Sequence, residues 1–194
     1  FWPSPWGNGR PGWHIECSAM SNRYLGKTID IHGGGQDLTF PHHENEVAQS
    51  EAANCCDFAR FWVHNGYIDV NNQKMSKSLN NFFTVREVAE QAGYEPIRLF
   101  MLSAHYRNPV NYSAEIIGQA KTGLERMITC ARNLDFYLES AKPGLSPEEE
   151  EMLRGLSAYR QKFVDAMEDD LNTADALAAV YELVREINSN VTAE

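Results

Sequence analysis

Between Ile117 and Leu138 the apolar residues Ile117, Ala120, Leu124, Met127, Ile128, Ala131, Leu134 and Leu138 recur at the helical period. That spacing lines one side of a helix and suits no strand. A stripe so long must be buried against other helices, so the second part of the chain has to be helix packed on helix. Two more helices with apolar faces follow. Ser146-Pro147-Glu148-Glu149 is a start signal ahead of Leu153, Leu156, Phe163 and Met167, and the acids of Glu148–Glu151 suit a helix N-terminus. Asn172 or Thr173 caps the next, with Leu177, Val180, Tyr181, Val184 and Ile187 inward.

The first part reads differently. FWPSPWGNGRPGW is a Trp-, Pro- and Gly-rich loop, and Trp13 to about Tyr24 suits a short helix. Lys27–His32 alternates and is β-branched, which predicts a strand that Gly33, Gly34 and Gly35 should break. Pro41–Ala53 reads as a helix with Pro41 in its first position. Trp62–Val70 reads as one strand, Asn71-Asn72 as a turn, and KMSKS (residues 74–78) comes next. Thr84-x-x-Glu87 is a capping box for a helix that Gly93 can close, and Pro96 opens another. The expected fold class is α/β over residues 1–112, then an all-α helical bundle over 113–194.

Formal net charge is −10 over 194 residues. Such a balance excludes loose binding to nucleic acid, which needs a broadly basic surface, but leaves room for a local phosphate site. No apolar run reaches membrane-spanning length. Cys17, Cys55, Cys56 and Cys130 form no disulfide framework, which predicts a reducing, cytoplasmic setting. Cys55 and Cys56 read as core or half-buried residues.

Three groups of residues could carry chemistry. In His42-His43-Glu44-Asn45-Glu46, helical spacing puts His42 and Glu46 on one face, where they could share a zinc ion or be a solvated polar face. His43 has no carboxylate at the same spacing, because residue 47 is Val. Cys17 is the best upstream thiol, with His14 as its competitor. Gly35 and Asp37, after a strand, could admit a ligand's backbone approach and accept bonds from a ribose, or could form a tight turn. In KMSKS, Lys74 and Lys77 could meet a triphosphate or be a solvated loop.

Taken together, GRPGWHIECSAM (residues 9–20), DIHGGGQDLTFPHHENEVAQSEA (residues 30–52), KMSKSLNNFFTV (residues 74–85) and DDLNTADALAAVYELVREIN (residues 169–188) closely resemble the bacterial cysteinyl-tRNA synthetases, which are class I aminoacyl-tRNA synthetases. KMSKS marks only the class, whereas WHIEC with HHENE is far more specific. The resemblance implies a partial Rossmann-like catalytic core followed by a helical domain on the tRNA side. It implies activation of L-cysteine with ATP and magnesium, transfer to tRNA(Cys), one zinc ion per chain and a monomeric full-length protein. It places Cys17, His42 and Glu46 on zinc ligands and Trp13 beside the amino-acid pocket. It places Lys77 on an ATP-contacting lysine with Lys74 in the same loop, and Gly35 and Asp37 on the adenosine segment.

The family's HIGH-type motif and first zinc cysteine do not occur here. The expectation is therefore a catalytically incomplete piece that opens in mid-loop and has exposed apolar edges near residues 27–32 and 61–70. Two other readings stay open: a cysteine ligase of mycothiol synthesis, and a non-catalytic zinc- or tRNA-binding module. The carboxylate of HHENE and the long helical part favour the synthetase.

Overall fold

The structure is a computed structural model that describes residues 1–76, 79, 81–141 and 143–191. Lys77 of KMSKS lies outside the described residues. The chain forms two compact units, Phe1–Tyr67 and Ile68–Glu194. Among the described residues no helix is long and apolar enough to cross a membrane.

The first unit is a strand–helix–strand element with one added helix. It runs α1 (Ile15–Leu25), β1 (Ile29–Gly35), α2 (Glu44–Asn54) and β2 (Ala59–Asn65). β1 and β2 pair in parallel, with His32 opposite Trp62 and Gly34 opposite His64. Parallel pairing requires a crossover, which α2 provides. The glycines do not break the strand as expected; Gly33–Gly35 are its last three residues. A Cβ at Gly33 would stand 2.9 Å from the Val63 carbonyl oxygen, so glycine is what lets the strands pair this closely. α2 is entered through one wider helical turn over residues 41–43, so the helix expected from Pro41 is present with an irregular start after the extended Phe40 (φ −132°, ψ 132°). It ends at Cys55, a left-handed cap (φ 55°) that is exposed, contrary to the expected burial; Cys56 is half-buried as expected.

Ile29 and Phe58 are buried, while Ile31 and Phe61, opposite each other in register on the face away from His32 and Trp62, are 65% and 66% exposed. The apolar exposure expected near residues 27–32 and 61–70 is therefore present at that pair. It does not extend to Val70, which is 4% exposed and belongs to the other unit.

The second unit opens on a small sheet. The strand expected over Trp62–Val70 is in fact two, because β3 (Ile68–Val70) joins a different sheet in the order β4-β3-β5. β3 and β4 (Gln73–Lys74) form a hairpin closed by Asn71 and Asn72, both at positive φ (50° and 61°). Asparagine tolerates that region, and the geometry matches the twist of the strands. β5 (Val110–Tyr112) pairs with β3 in parallel.

Among the described residues five α-helices complete the unit: α3 (Val85–Ala92), α4 (Tyr94–Leu102), α5 (Ala114–Ser140), α6 (Pro147–Glu168) and α7 (Thr173–Asn190). The capping boxes at Thr84–Glu87 and Ser146–Glu149 form as their sequences require, and Asn172 rather than Thr173 caps α7. α7 packs on both α5 and α6, which explains the burial of Ala176, Ala179 and Val184 along it. The expected stripe of α5 is covered at Ile117, Ala120, Leu124, Met127 and Leu134, with Cys130 buried beside it, but Ile128, Ala131 and Leu138 are exposed.

Candidate functional site

The first unit gathers imidazoles around one buried carboxylate. Glu46, on the first turns of α2, is 4% exposed, and His32 on β1 donates from Nε2 to its Oε2 at 2.7 Å. His43, just before α2, is 5% exposed and its Nδ1 lies 2.8 Å from His64 Nε2 on β2. Strand alternation is what assembles these groups. His32, Gly34, Trp62 and His64 face the same side of the parallel pair. The ring of Trp62 stacks on His64 with centroids 5.9 Å apart, and stands edge-on to His32 at 5.0 Å.

Burial is the main reason that His43 holds its proton less readily than an ordinary histidine, with the neighbouring His32 adding to the effect. Its imidazole is therefore disposed to be the neutral form that hydrogen-bonds, or ligates, through a lone pair. Among the described residues, the ligand atoms of His32, His43 and Glu46 lie within 4.8 Å of one another.

Of the residues singled out from sequence, Glu46 is in this group. Cys17, on α1, lies against the same carboxylate: burial first, then Glu46, push its thiol pKa up. A carboxylate in contact with a thiol disfavours the thiolate unless a cation joins them, so this donor pair fits a cation such as zinc. His42 is not in the group. It precedes α2, and its ring is edge-on to His14 at 5.0 Å and to Trp13 at 5.9 Å. Trp13 is 78% exposed and, with Trp2 and Arg10, walls a cavity of about 590 Å³.

Helical spacing alone hid His43, because its partners come from β1 and β2. The signal was present in the alternation of Asp30-Ile31-His32 and Trp62-Val63-His64, read as paired strands. His14 Nδ1 and Ser50 Oγ are buried without a hydrogen-bond partner among the described residues.

Asp37 follows β1 in a short turn. A Cβ on Gly35 would stand 2.5 Å from Asp37 Oδ1, so glycine there lets the carboxylate fold back over the strand end. Tyr67 reaches the same carboxylate, and partial burial together with Asp37 raises the phenol above its ordinary value. In the second unit Lys74 ends β4 and is exposed. Asn81 fastens the following loop, donating from Nδ2 to Lys74 O at 3.1 Å and accepting from Ser76 N–H at 2.8 Å.

With this arrangement in view, residues 1–122 match the family described as tRNA synthetases class I (C) catalytic domain. The chain belongs to that family. Residues 162–194 match the DALR domain, so the class I synthetase core is followed by a DALR-type helical segment.

The chain is 60% identical over 98% of its length to a cysteine–tRNA ligase of Clostridioides difficile. It is 59% identical over 97% to one of Caldicellulosiruptor saccharolyticus, and 54% identical over its whole length to one of Lachnospira eligens. It spans 40–41% of the length of these relatives. Among solved structures, the LeuRS of Agrobacterium radiobacter K84, in ternary complex with tRNA and LeuAMS, superposes with a TM-score of 0.66 at 21% identity. That alignment covers 83% of this chain and 22% of that one. At such identity the likeness speaks for the class I fold alone.

Proposed function

We propose that this chain is the thiol-recognising and KMSKS-bearing part of a cytoplasmic cysteine–tRNA ligase that is monomeric at full length. The observation that carries the reading is the meeting of the Cys17 thiol with the buried Glu46 carboxylate, itself held by His32. Identity above one half to curated cysteine–tRNA ligases supports it.

Cys17, His42 and Glu46 are the proposed zinc ligands, with Trp13 beside the amino-acid pocket. Bound there, zinc supplies a soft Lewis acid that favours a substrate thiolate over the hydroxyl of serine. Shape alone separates two such similar side chains poorly, since small steric differences give only modest discrimination. His32 orients Glu46 through their hydrogen bond, as second partners of ligating carboxylates do. Gly35 and Asp37 serve the adenosine of ATP, Asp37 accepting from the ribose. Lys74 and Lys77 serve the triphosphate and the charge that develops as pyrophosphate leaves. Magnesium accompanies the nucleotide as part of the substrate.

We keep the functional division near residue 112, with residues 113–194 as the tRNA-side helical domain. These 194 residues hold no HIGH-type motif, and by themselves they do not aminoacylate tRNA. The test is ATP–pyrophosphate exchange driven by L-cysteine, with L-serine as control. The chain is assayed alone and mixed with the N-terminal half of a cysteine–tRNA ligase. Exchange that needs both parts and cysteine supports the proposal. Robust exchange by the chain alone refutes the incompleteness, and none in the mixture with both parts folded refutes the assignment.

A further inference from the structure

We propose that Asp170, in the turn between α6 and α7, is a positioning residue for the hairpin that carries KMSKS. Asp170 and Leu171 both lie in the left-handed region (φ 55° and 56°), which aspartate tolerates but a leucine adopts only when its surroundings hold it there. The turn presents the Asp170 carboxylate to the segment between α4 and β5. Tyr106 OH donates to Oδ1 at 2.8 Å and Arg107 Nε donates to Oδ2 at 2.6 Å. His105 Nε2 stands 3.7 Å from the same oxygen, and Thr173 Oγ1 donates to the Ala104 carbonyl at 3.3 Å.

The gripped segment runs directly into β5, and β5 holds the hairpin. Asn72 N–H donates to the Asn111 side-chain oxygen at 2.7 Å, and Asn71 N–H donates to Tyr112 O at 3.0 Å. Parallel pairing sets Asp69 opposite Asn111 and Val70 opposite Tyr112. Two residues beyond Asn72, Lys74 opens the KMSKS motif. A carboxylate on the helical turn thus fixes β5, and β5 fixes the turn from which KMSKS springs. This adds a residue of the DALR-type segment, remote in sequence, to the parts that place the loop. Its consequence for catalysis rests on the reading that KMSKS serves the triphosphate.

The test is amide hydrogen exchange on the whole 194-residue chain, comparing wild type, D170N and R107Q with K162M as control. Asparagine tolerates the left-handed conformation, so D170N removes the charge without forcing the turn to change. K162M breaks the exposed Lys162–Glu182 pair between α6 and α7 and touches neither partner of the clamp. The amides of Asn71 and Asn72 should exchange about three- to tenfold faster in both D170N and R107Q. The interiors of α6 and α7 should keep their wild-type rates, and K162M should leave the hairpin unchanged. Wild-type rates at Asn71 and Asn72 in either clamp variant would overturn the proposal. Equal acceleration in K162M would also overturn it, since the cause would then be general loosening of the helices. The readout needs no ATP, so it succeeds or fails separately from the proposed function.

Discussion

There is no room for a side chain between Gly34 and His43. A Cβ on Gly34 would stand 3.2 Å from the His43 Cε1 and 2.8 Å from Leu38 Cδ1. The first contact ties the end of β1 to the imidazole that meets His64, so Gly34→Ala should displace both Leu38 and His43. Overpacking of this kind costs about 1–3 kcal/mol. Urea unfolding followed by tryptophan fluorescence, all four tryptophans lying in the first unit, should show a lower midpoint, and an unchanged midpoint would mean that the first unit yields without strain.

The Ser146 cap makes a second, independent prediction. Ser146 Oγ accepts from Glu149 N–H at 3.2 Å, and Ser146 N–H donates in return to Glu149 Oε2 at 2.6 Å. Ser146→Ala should destabilise α6 by about 1 kcal/mol, the usual worth of such a cap. The fall in melting temperature checks it, and Glu149→Ala should cost a similar amount through the other half of the box.

Asp170 sets a pH dependence. Hydrogen bonds from Arg107 and then Tyr106 hold its carboxyl below the ordinary value. The folded state therefore binds this proton less readily than the unfolded state does. The contribution is present in full above the ordinary aspartate range and is lost as pH falls through the lowered value. Wild type and D170N should differ most at neutral pH and converge in strong acid, as followed by the stability of each across an acid titration. His105, Arg107 and Tyr106 face the group, and the difference between the two proteins isolates the carboxylate from Glu87, Glu148 and Glu182, which are also lowered. A constant difference at every pH would place the effect elsewhere.

Glu46 offers a sharper test of the proposed chemistry. A carboxylate is a harder, weaker zinc ligand than a thiolate. Glu46→Cys should therefore tighten the metal and weaken L-cysteine binding, because an ion that holds a second thiolate has less need of an incoming sulfur. Competition with a chelator measures the first and calorimetry with L-cysteine the second. Unchanged cysteine affinity would sink this role for Glu46.

The long helices, their caps and the Asn71-Asn72 turn were readable in the sequence, since periodicity and capping chemistry are local. What was not readable depends on pairing partners distant along the chain. The strand expected over Trp62–Val70 divides because Ile68 pairs with Val110 while Ala59–Asn65 pairs with β1. On α5 the buried Cys130 and the exposed Leu138 depart from the expected stripe, because α4 and α7 determine which side is covered. In the candidate site, helical spacing singled out Glu46 with His42, and residue type singled out Cys17, which the structure sets against Glu46. His32, His43 and His64 come together only when two strands align, and no spacing within one segment reports that.

The central claim is that Cys17 and Glu46 belong to a metal site that recognises a thiol. It is tested most directly by loading the chain with cobalt(II) and recording its absorption spectrum. The account predicts a thiolate-to-cobalt charge-transfer band that Cys17→Ser abolishes and that L-cysteine, but not L-serine, intensifies. A spectrum without that band, or one that survives Cys17→Ser unchanged, would contradict it.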